Sequence, residues 1–208
     1  MDFTWFLETS LVHLESITKT FGSEVVFKDF SYTFLNNEKF LIKGPNGSGK
    51  TTLLEMLASI VIPCSGDIIF GLDNYKTELG FASSNIDSFF PELTGYENLK
   101  IFLSLRNKSN IDLDTKLLDY SDVDLLFLQK KFLVYSKGMK QKLNLLRALI
   151  HDPLVLICDE PLEHLDVDSK KFFSQKLSRY PHMVILASHL NDFDQSEFKI
   201  LTLKQDHA

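Results

Sequence analysis

The sequence predicts an α/β fold built on a mainly parallel sheet, and three observations carry that prediction. A glycine-rich loop, Gly44–Gly49, stands between an apolar strand, Phe40–Lys43, and an apolar helical stretch running from Lys50 to about Ile60. Two short continuous apolar runs, Val155–Cys158 and Met183–Ala187, read as strands buried on both faces, the pattern of a parallel sheet covered by helices. After Phe40, strand and helix alternate, which favours a single interleaved α/β core.

Each element has its own local reason. Ahead of the loop the chain reads as strands at Leu11–Thr18, Val25–Phe27 and Phe30–Leu35; Phe30, Tyr32 and Phe34 alternate with Ser31 and Thr33, as a half-buried strand requires. Strands follow at Asp67–Phe70 and Leu79–Ala82, and residues from Gly95 to Leu126 read as mostly helical. A helix from Lys137 to Ile150 carries Met139, Leu143, Leu146 and Ile150 at four-three-four spacing, which gives one apolar face. Helix Asp166–Ser178 then separates the two buried strands. Asp112, Asp114, Asp119, Asp122 and Asp124 form a solvated acidic face. With no internal repeat or linker, residues 1–208 are expected to form one domain, with no regulatory domain after the last strand.

Bulk composition excludes several classes. Hydrophobic residues make up 44% and charged residues 24%, as in an ordinary globular chain. The balance of 22 basic and 28 acidic residues gives a net charge of −6, which argues against nucleic acid as a partner. Two cysteines, Cys64 and Cys158, make neither a disulfide framework nor a zinc spacing, so a reducing cytosol is expected and Cys158 reads as a small buried thiol. No run approaches the roughly 20 apolar residues that span a bilayer. The opening Met1–Glu8 has an early acid and no basic region, so a signal peptide is not expected.

Gly44-Pro45-Asn46-Gly47-Ser48-Gly49-Lys50-Thr51, followed by Thr52, fits the G-x-x-x-x-G-K-[ST] pattern in full. Glycines let successive backbone N–H groups turn to one side, and with the following helix N-terminus they make a concave site for phosphate oxygens. Lys50 then places its ammonium against the β- and γ-phosphates, and Thr51 offers its hydroxyl to Mg²⁺. An ordinary Gly-rich turn is the simpler alternative, but placement directly between strand and helix favours the phosphate site. The apolar strand Leu154–Cys158 ends in Asp159-Glu160. Beside a phosphate loop, Asp159 is placed to hold Mg²⁺, through water, and Glu160 to orient and deprotonate an attacking water. Such a pair is common surface chemistry by itself; the complete loop upstream turns the preference toward catalysis.

Kinases, GTPases and many ATPases share these two motifs, and Tyr135-Ser136-Lys137-Gly138-Met139-Lys140-Gln141-Lys142-Leu143 narrows the field. It resembles the signature that opens a helix shortly before the acidic strand in ATP-binding-cassette (ABC) proteins. Glu163-His164-Leu165-Asp166 looks like the family's D-loop, His189 like its switch histidine, and Phe21 in Thr18–Gly22 falls where the family sets an aromatic ring against adenine. The resemblance runs from about Leu11 to the C-terminus. It implies a P-loop NTPase core (about 44–82 and 152–208), an N-terminal antiparallel β-subdomain (about 1–43) and a helical signature subdomain (about 86–150). It implies Mg-ATP as ligand, with Glu160, His189 and Lys50 catalytic. Ser136 and Gly138 then form an anion site at a helix N-terminus, presented to ATP held by a second cassette, most simply in a homodimer. An integral membrane permease is the implied further partner, with the chain on the cytoplasmic face of the membrane. The Lys-Gly-Met-Lys-Gln wording leans toward export.

Three positions depart from the family pattern. In Leu79–Asn85, Ser84 occupies the place of the glutamine that senses Mg²⁺, with a shorter reach. Lys137 replaces the first signature glycine and Met139 its glutamine. Phe89 and Phe90, in Phe89–Leu99, either contact a permease helix or pack within the helical region. Two other readings stand beside the transporter ATPase: an ATPase of a soluble assembly complex, of iron–sulfur scaffold type, and a degenerate cassette that binds ATP and signals by shape. A GTPase is excluded because Asn107-Lys108-Ser109-Asn110 ends in Asn where guanine recognition needs Asp.

Overall fold

A computed structural model describes residues 10–86, 88–121, 124–188 and 193–204. Its strands are β1 (Ser10–Phe21), β2 (Glu24–Leu35), β3 (Lys39–Lys43), β4 (Ser65–Phe70), β5 (Leu79–Ala82), β6 (Val155–Asp159), β7 (Met183–Ala187) and β8 (Lys199–Thr202). Its α-helices are α1 (Lys50–Leu57), α2 (Gly95–Leu105), α3 (Leu113–Leu117), α4 (Lys137–Leu149) and α5 (Val167–Ser178). Five strands form a parallel sheet in the order β5-β6-β7-β3-β8, and β2-β1-β4 form a three-stranded antiparallel sheet.

The parallel sheet is covered on both sides, and the two-residue period of its strands sorts them between two cores. Leu41, Leu156, Cys158, Val184 and Leu186 face α4, α5 and the helical region. Phe40, Ile42, Val155, Ile157, Met183 and Ile185 face α1 and the antiparallel sheet, where Leu53, Leu54, Val12, Leu14 and Phe34 are also wholly buried. Every residue of β6 and β7 is buried, so these strands carry the continuous apolar run that the sequence shows.

Several elements differ from the sequence reading for identifiable reasons. The break expected after Thr18 lies three residues later, at the Gly22-Ser23 turn that joins β1 to β2 in a hairpin. The break expected after Phe27 is a bulge inside β2, where Asp29 takes left-handed backbone (φ 51°). The Asp29 N–H donates to Thr18 Oγ1 at 3.2 Å, so the polar residues serve the bulge and do not form a loop. Helix α1 ends at Leu57, short of Ile60, because Ser59 turns to φ 57°. The span from Gly95 to Leu126 holds α2 and α3, separated by the left-handed Asn107 (φ 55°) and the Asp112 cap. Strand β8 is absent from the sequence reading; its exposed edge position explains the weak apolar signal. Phe89 is buried against Phe132 at 4.9 Å and so packs within the helical region, whereas Phe90 is exposed.

Candidate functional site

The C-terminal ends of β3 and β6 lie on either side of β7 in the parallel sheet, and the segments leaving them build one cleft. Lining it are Asn46, Gly47, Gly49, Lys50, Thr51 and Thr52 from the loop and first turn of α1, Ser84 beyond β5, Asp159 and Glu160 at the end of β6, and Phe21, Glu24 and Val26 from the antiparallel sheet. Its volume is about 370 Å³.

The loop's shape follows from its glycines. Gly47 and Gly49 have φ of 80° and 89°, a left-handed backbone that β-substituted residues adopt only under strain. A side chain at Gly49 meets Val26 Cγ1 at 2.6 Å and Phe27 Cζ at 2.9 Å, so the loop is pressed against β2. Gly44, Pro45 and Ser48 do not line the cleft. The Ser48 hydroxyl is buried without a hydrogen-bond partner. The Lys50 ammonium donates to the carbonyls of Gly44 and Pro45 at 2.9 and 3.1 Å, arching over the loop. Burial lowers the Lys50 pKa, and the nearby Glu160 and Asp159 charges partly offset it. An arriving polyanion therefore meets a cation held on weak neutral acceptors.

Across the cleft, Asp159 is almost fully buried and its Oδ2 accepts from Thr51 Oγ1 at 2.8 Å and Ser84 Oγ at 2.7 Å. Glu160 follows in left-handed backbone (φ 46°), fixed by its N–H to Ala187 O at 2.9 Å, and the turn swings its carboxylate into the cleft wall. The gathered atoms are a carboxylate and two hydroxyls, a hard oxygen set that suits Mg²⁺. One carboxylate and two hydroxyls leave coordination positions for substrate and water oxygens. At the far end Phe21 is half exposed, with Lys19 Nζ 4.9 Å over its ring.

Ser136 and Gly138 lie outside this cleft. Ser136 caps α4, its Oγ accepting from Met139 N–H at 3.2 Å, which leaves the hydroxyl proton available to an external acceptor. A side chain at Gly138 meets the His164 carbonyl at 2.8 Å, so the start of α4 is seated on the loop after β6. Gln141 Nε2 donates to Pro161 O at 2.8 Å, and Lys142 pairs with Asp166 at 2.7 Å, holding that seat. His189 lies outside the described residues. The sequence reading missed Glu24 and Val26. The signal was present: a Phe21–Glu24 hairpin sets these residues side by side, and alternation returns Val26 to the same face.

Residues 27–163 match the ABC transporter family. The chain belongs to that family. The cassette is 35% identical to the molybdate/tungstate import ATP-binding protein WtpC of Pyrococcus abyssi, over 80% of this chain and 50% of the relative. It is 31% identical to the bacitracin transport ATP-binding protein BcrA of Enterococcus faecalis, over 95% of this chain and 67% of the relative. It spans between 50% and 62% of the length of these and similar curated relatives such as YdbJ and YhcH of Bacillus subtilis, BcrA excepted. Among solved structures it is similar to MJ0796, described in its dimeric form as a bacterial ABC transporter cassette, with a TM-score of 0.79 and 22% identity over 93% of this chain and 94% of that chain. That likeness shows the P-loop fold with its parallel core, antiparallel sheet and helical region.

Proposed function

We propose that this cassette binds Mg-ATP in the cleft between the Gly44–Thr52 loop and Asp159-Glu160, and hydrolyses it to drive an integral membrane permease. The observation that carries the reading is the meeting of Thr51 and Ser84 on one oxygen of Asp159, directly beside Lys50 and Glu160. The loop amides and Lys50 bind the β- and γ-phosphates, and Phe21 supports adenine by stacking. Mg²⁺ would supply neutralisation of the charge that develops on the phosphate oxygens. Thr51 and Asp159 hold its place, with Ser84 completing the oxygen set. Glu160 accepts the proton of the attacking water as it adds to the γ-phosphorus, and the bond to the β–γ bridging oxygen breaks, leaving ADP and phosphate. His189 contacts the γ-phosphate in this reading. Ser136 and Gly138 lie outside their own chain's cleft, so they serve the nucleotide of a second cassette, arranged head to tail in a homodimer.

Attachment to a permease at the cytoplasmic membrane face rests on family membership, and relatives named for transport support it. No described helix is long and apolar enough to cross a membrane. Relatives named for import and for bacitracin transport both match, so the lean toward export rests on the Lys137–Gln141 wording alone. The deciding experiment is Glu160→Gln. Turnover is expected to fall by about two to four orders of magnitude, the usual contribution of a general base, with Mg-ATP binding retained. Turnover at the wild-type rate removes Glu160 from the mechanism.

A further inference from the structure

A serine where a glutamine would reach further raises the question of how Ser84 touches Asp159 at all. The β5–β6 ladder ends at Ala82 opposite Cys158, so the backbone at Ser83 and Ser84 lies beyond the strand pairing and needs another anchor to set so short a side chain on Asp159. The holder is on α4. Asn144, fully buried, donates its Nδ2 to the Ser83 carbonyl at 2.7 Å, one residue before Ser84. Its Oδ1 accepts from Arg147 Nη2 at 2.9 Å, so both ends of the amide are engaged. Arg147 in turn donates to the Phe81 carbonyl at 3.3 Å and to the Ser88 hydroxyl, and its guanidinium lies 4.6 Å from the Phe89 ring centroid. The chain from Phe81 to Phe89 is thus gripped by two side chains one helical turn apart on α4.

We infer that Asn144 is a positioning residue for the metal site, setting the Ser84 hydroxyl on Asp159 through the Ser83 carbonyl. The same helix carries Ser136 and Gly138 at its start, so Asn144 also ties the surface offered to a second cassette to the oxygen set of its own cleft. A buried amide at this position has few alternatives: its donor has one carbonyl to serve and its acceptor one guanidinium. This inference rests on the Mg-ATP reading above.

The test is equilibrium binding of a non-hydrolysable ATP analogue to the full chain, titrated with Mg²⁺, alongside turnover. Asn144→Asp is isosteric and keeps an acceptor for Arg147, but it exchanges the donation to Ser83 for a buried carboxylate facing that carbonyl. Asn144→Leu, of similar volume and uncharged, removes the donation without adding charge, and both variants are expected to act in the same direction. The Mg²⁺ concentration at half-maximal tightening is expected to rise about five- to tenfold, the size of one lost hydrogen bond to a buried carbonyl. Ser84→Ala is expected to raise it similarly, and the double variant to raise it no further, because the two act in series. Asn144→Ala, with thermal unfolding as a check, replaces the aspartate if that variant does not fold. An unchanged midpoint, or single-variant effects that multiply in the double variant, overturns the inference. A wild-type chain that binds no Mg-nucleotide overturns the functional reading first, so the two failures are distinguishable.

Discussion

Asp159 Oδ2 collects two hydroxyl donors from residues 108 and 75 positions away in the chain, and that convergence is the feature that motif reading alone does not supply. Lys50, Thr51, Asp159 and Glu160 were each legible as residue types in a pattern, because a phosphate loop and an acidic strand end have local spacing. Asn144 and Arg147 were not: inside a helix they look like polar breaks in an apolar face, and their hydrogen-bond partners outside the helix lie 59 to 66 positions away. Phe89 reads from sequence equally as a permease contact or as packing, because an apolar ring in a loop fits both, and only its burial against Phe132 decides. Gly49 is the residue on which the geometry bears most directly. It has φ 89° and faces Val26 and Phe27 at less than van der Waals distance for any added carbon. Gly49→Ala is expected to cost about 1–3 kcal/mol of stability from backbone strain, and to push the loop off β2. Equilibrium nucleotide binding, measured beside thermal unfolding, checks this: affinity falls even at temperatures where the variant is fully folded.

Elements within the apolar parallel sheet were legible to within a residue, β6 running one residue past the expected Val155–Cys158 to Asp159. Leu79–Ala82 and Met183–Ala187 have the same bounds in sequence and structure because both lie within the apolar sheet. Elements defined by pairing were harder: β2 runs through Lys28-Asp29 as a bulge, and β8 sits at an edge with mostly exposed side chains. The helical region is held where α4 meets α2 and β5, and His151, just past α4, is buried there with its ring 5.4 Å from Phe102. Burial, and then the neighbouring Arg106, press its pKa down to about 4, with Lys108 adding to the effect and Glu78 opposing it. The unfolded chain takes up this proton near pH 6.5, so between pH 6.5 and 4 the unfolded state binds more protons than the folded state. Stability is therefore complete above about pH 6.5 and falls as pH drops toward 4, by up to about 3 kcal/mol. Urea unfolding of wild type and His151→Phe across that window is expected to show a shallower pH slope in the variant. Parallel slopes exclude this histidine as the source.

At the scale of the whole molecule the proposed function assigns the cassette two half-sites, and the second, at Ser136 and Gly138, does not line the cleft. The cleft holds the loop, Asp159 and Glu160, while Ser136 and Gly138 open α4 elsewhere, with Lys137 and no acidic residue in its first turn. Against a net charge of −6, that basic helix start is a local exception, and helix dipole and lysine both favour an anion brought from outside. In the head-to-tail dimer proposed above, two-fold association closes this arrangement, because each copy then completes the other's cleft. Lys50→Ala damages only the cleft, and Ser136→Glu, which sets a carboxylate where the γ-phosphate should lie, damages only the helix start. Each variant alone lacks an intact composite site, so neither is expected to turn over ATP or to dimerise with it in sedimentation. Mixed, they form one site in which the Ser136→Glu subunit supplies Lys50 and the Lys50→Ala subunit supplies Ser136. Turnover is therefore expected to return on mixing and to depend on the concentration of both subunits. A mixture that stays silent, or a Ser136→Glu chain active by itself, means the two half-sites do not meet across copies.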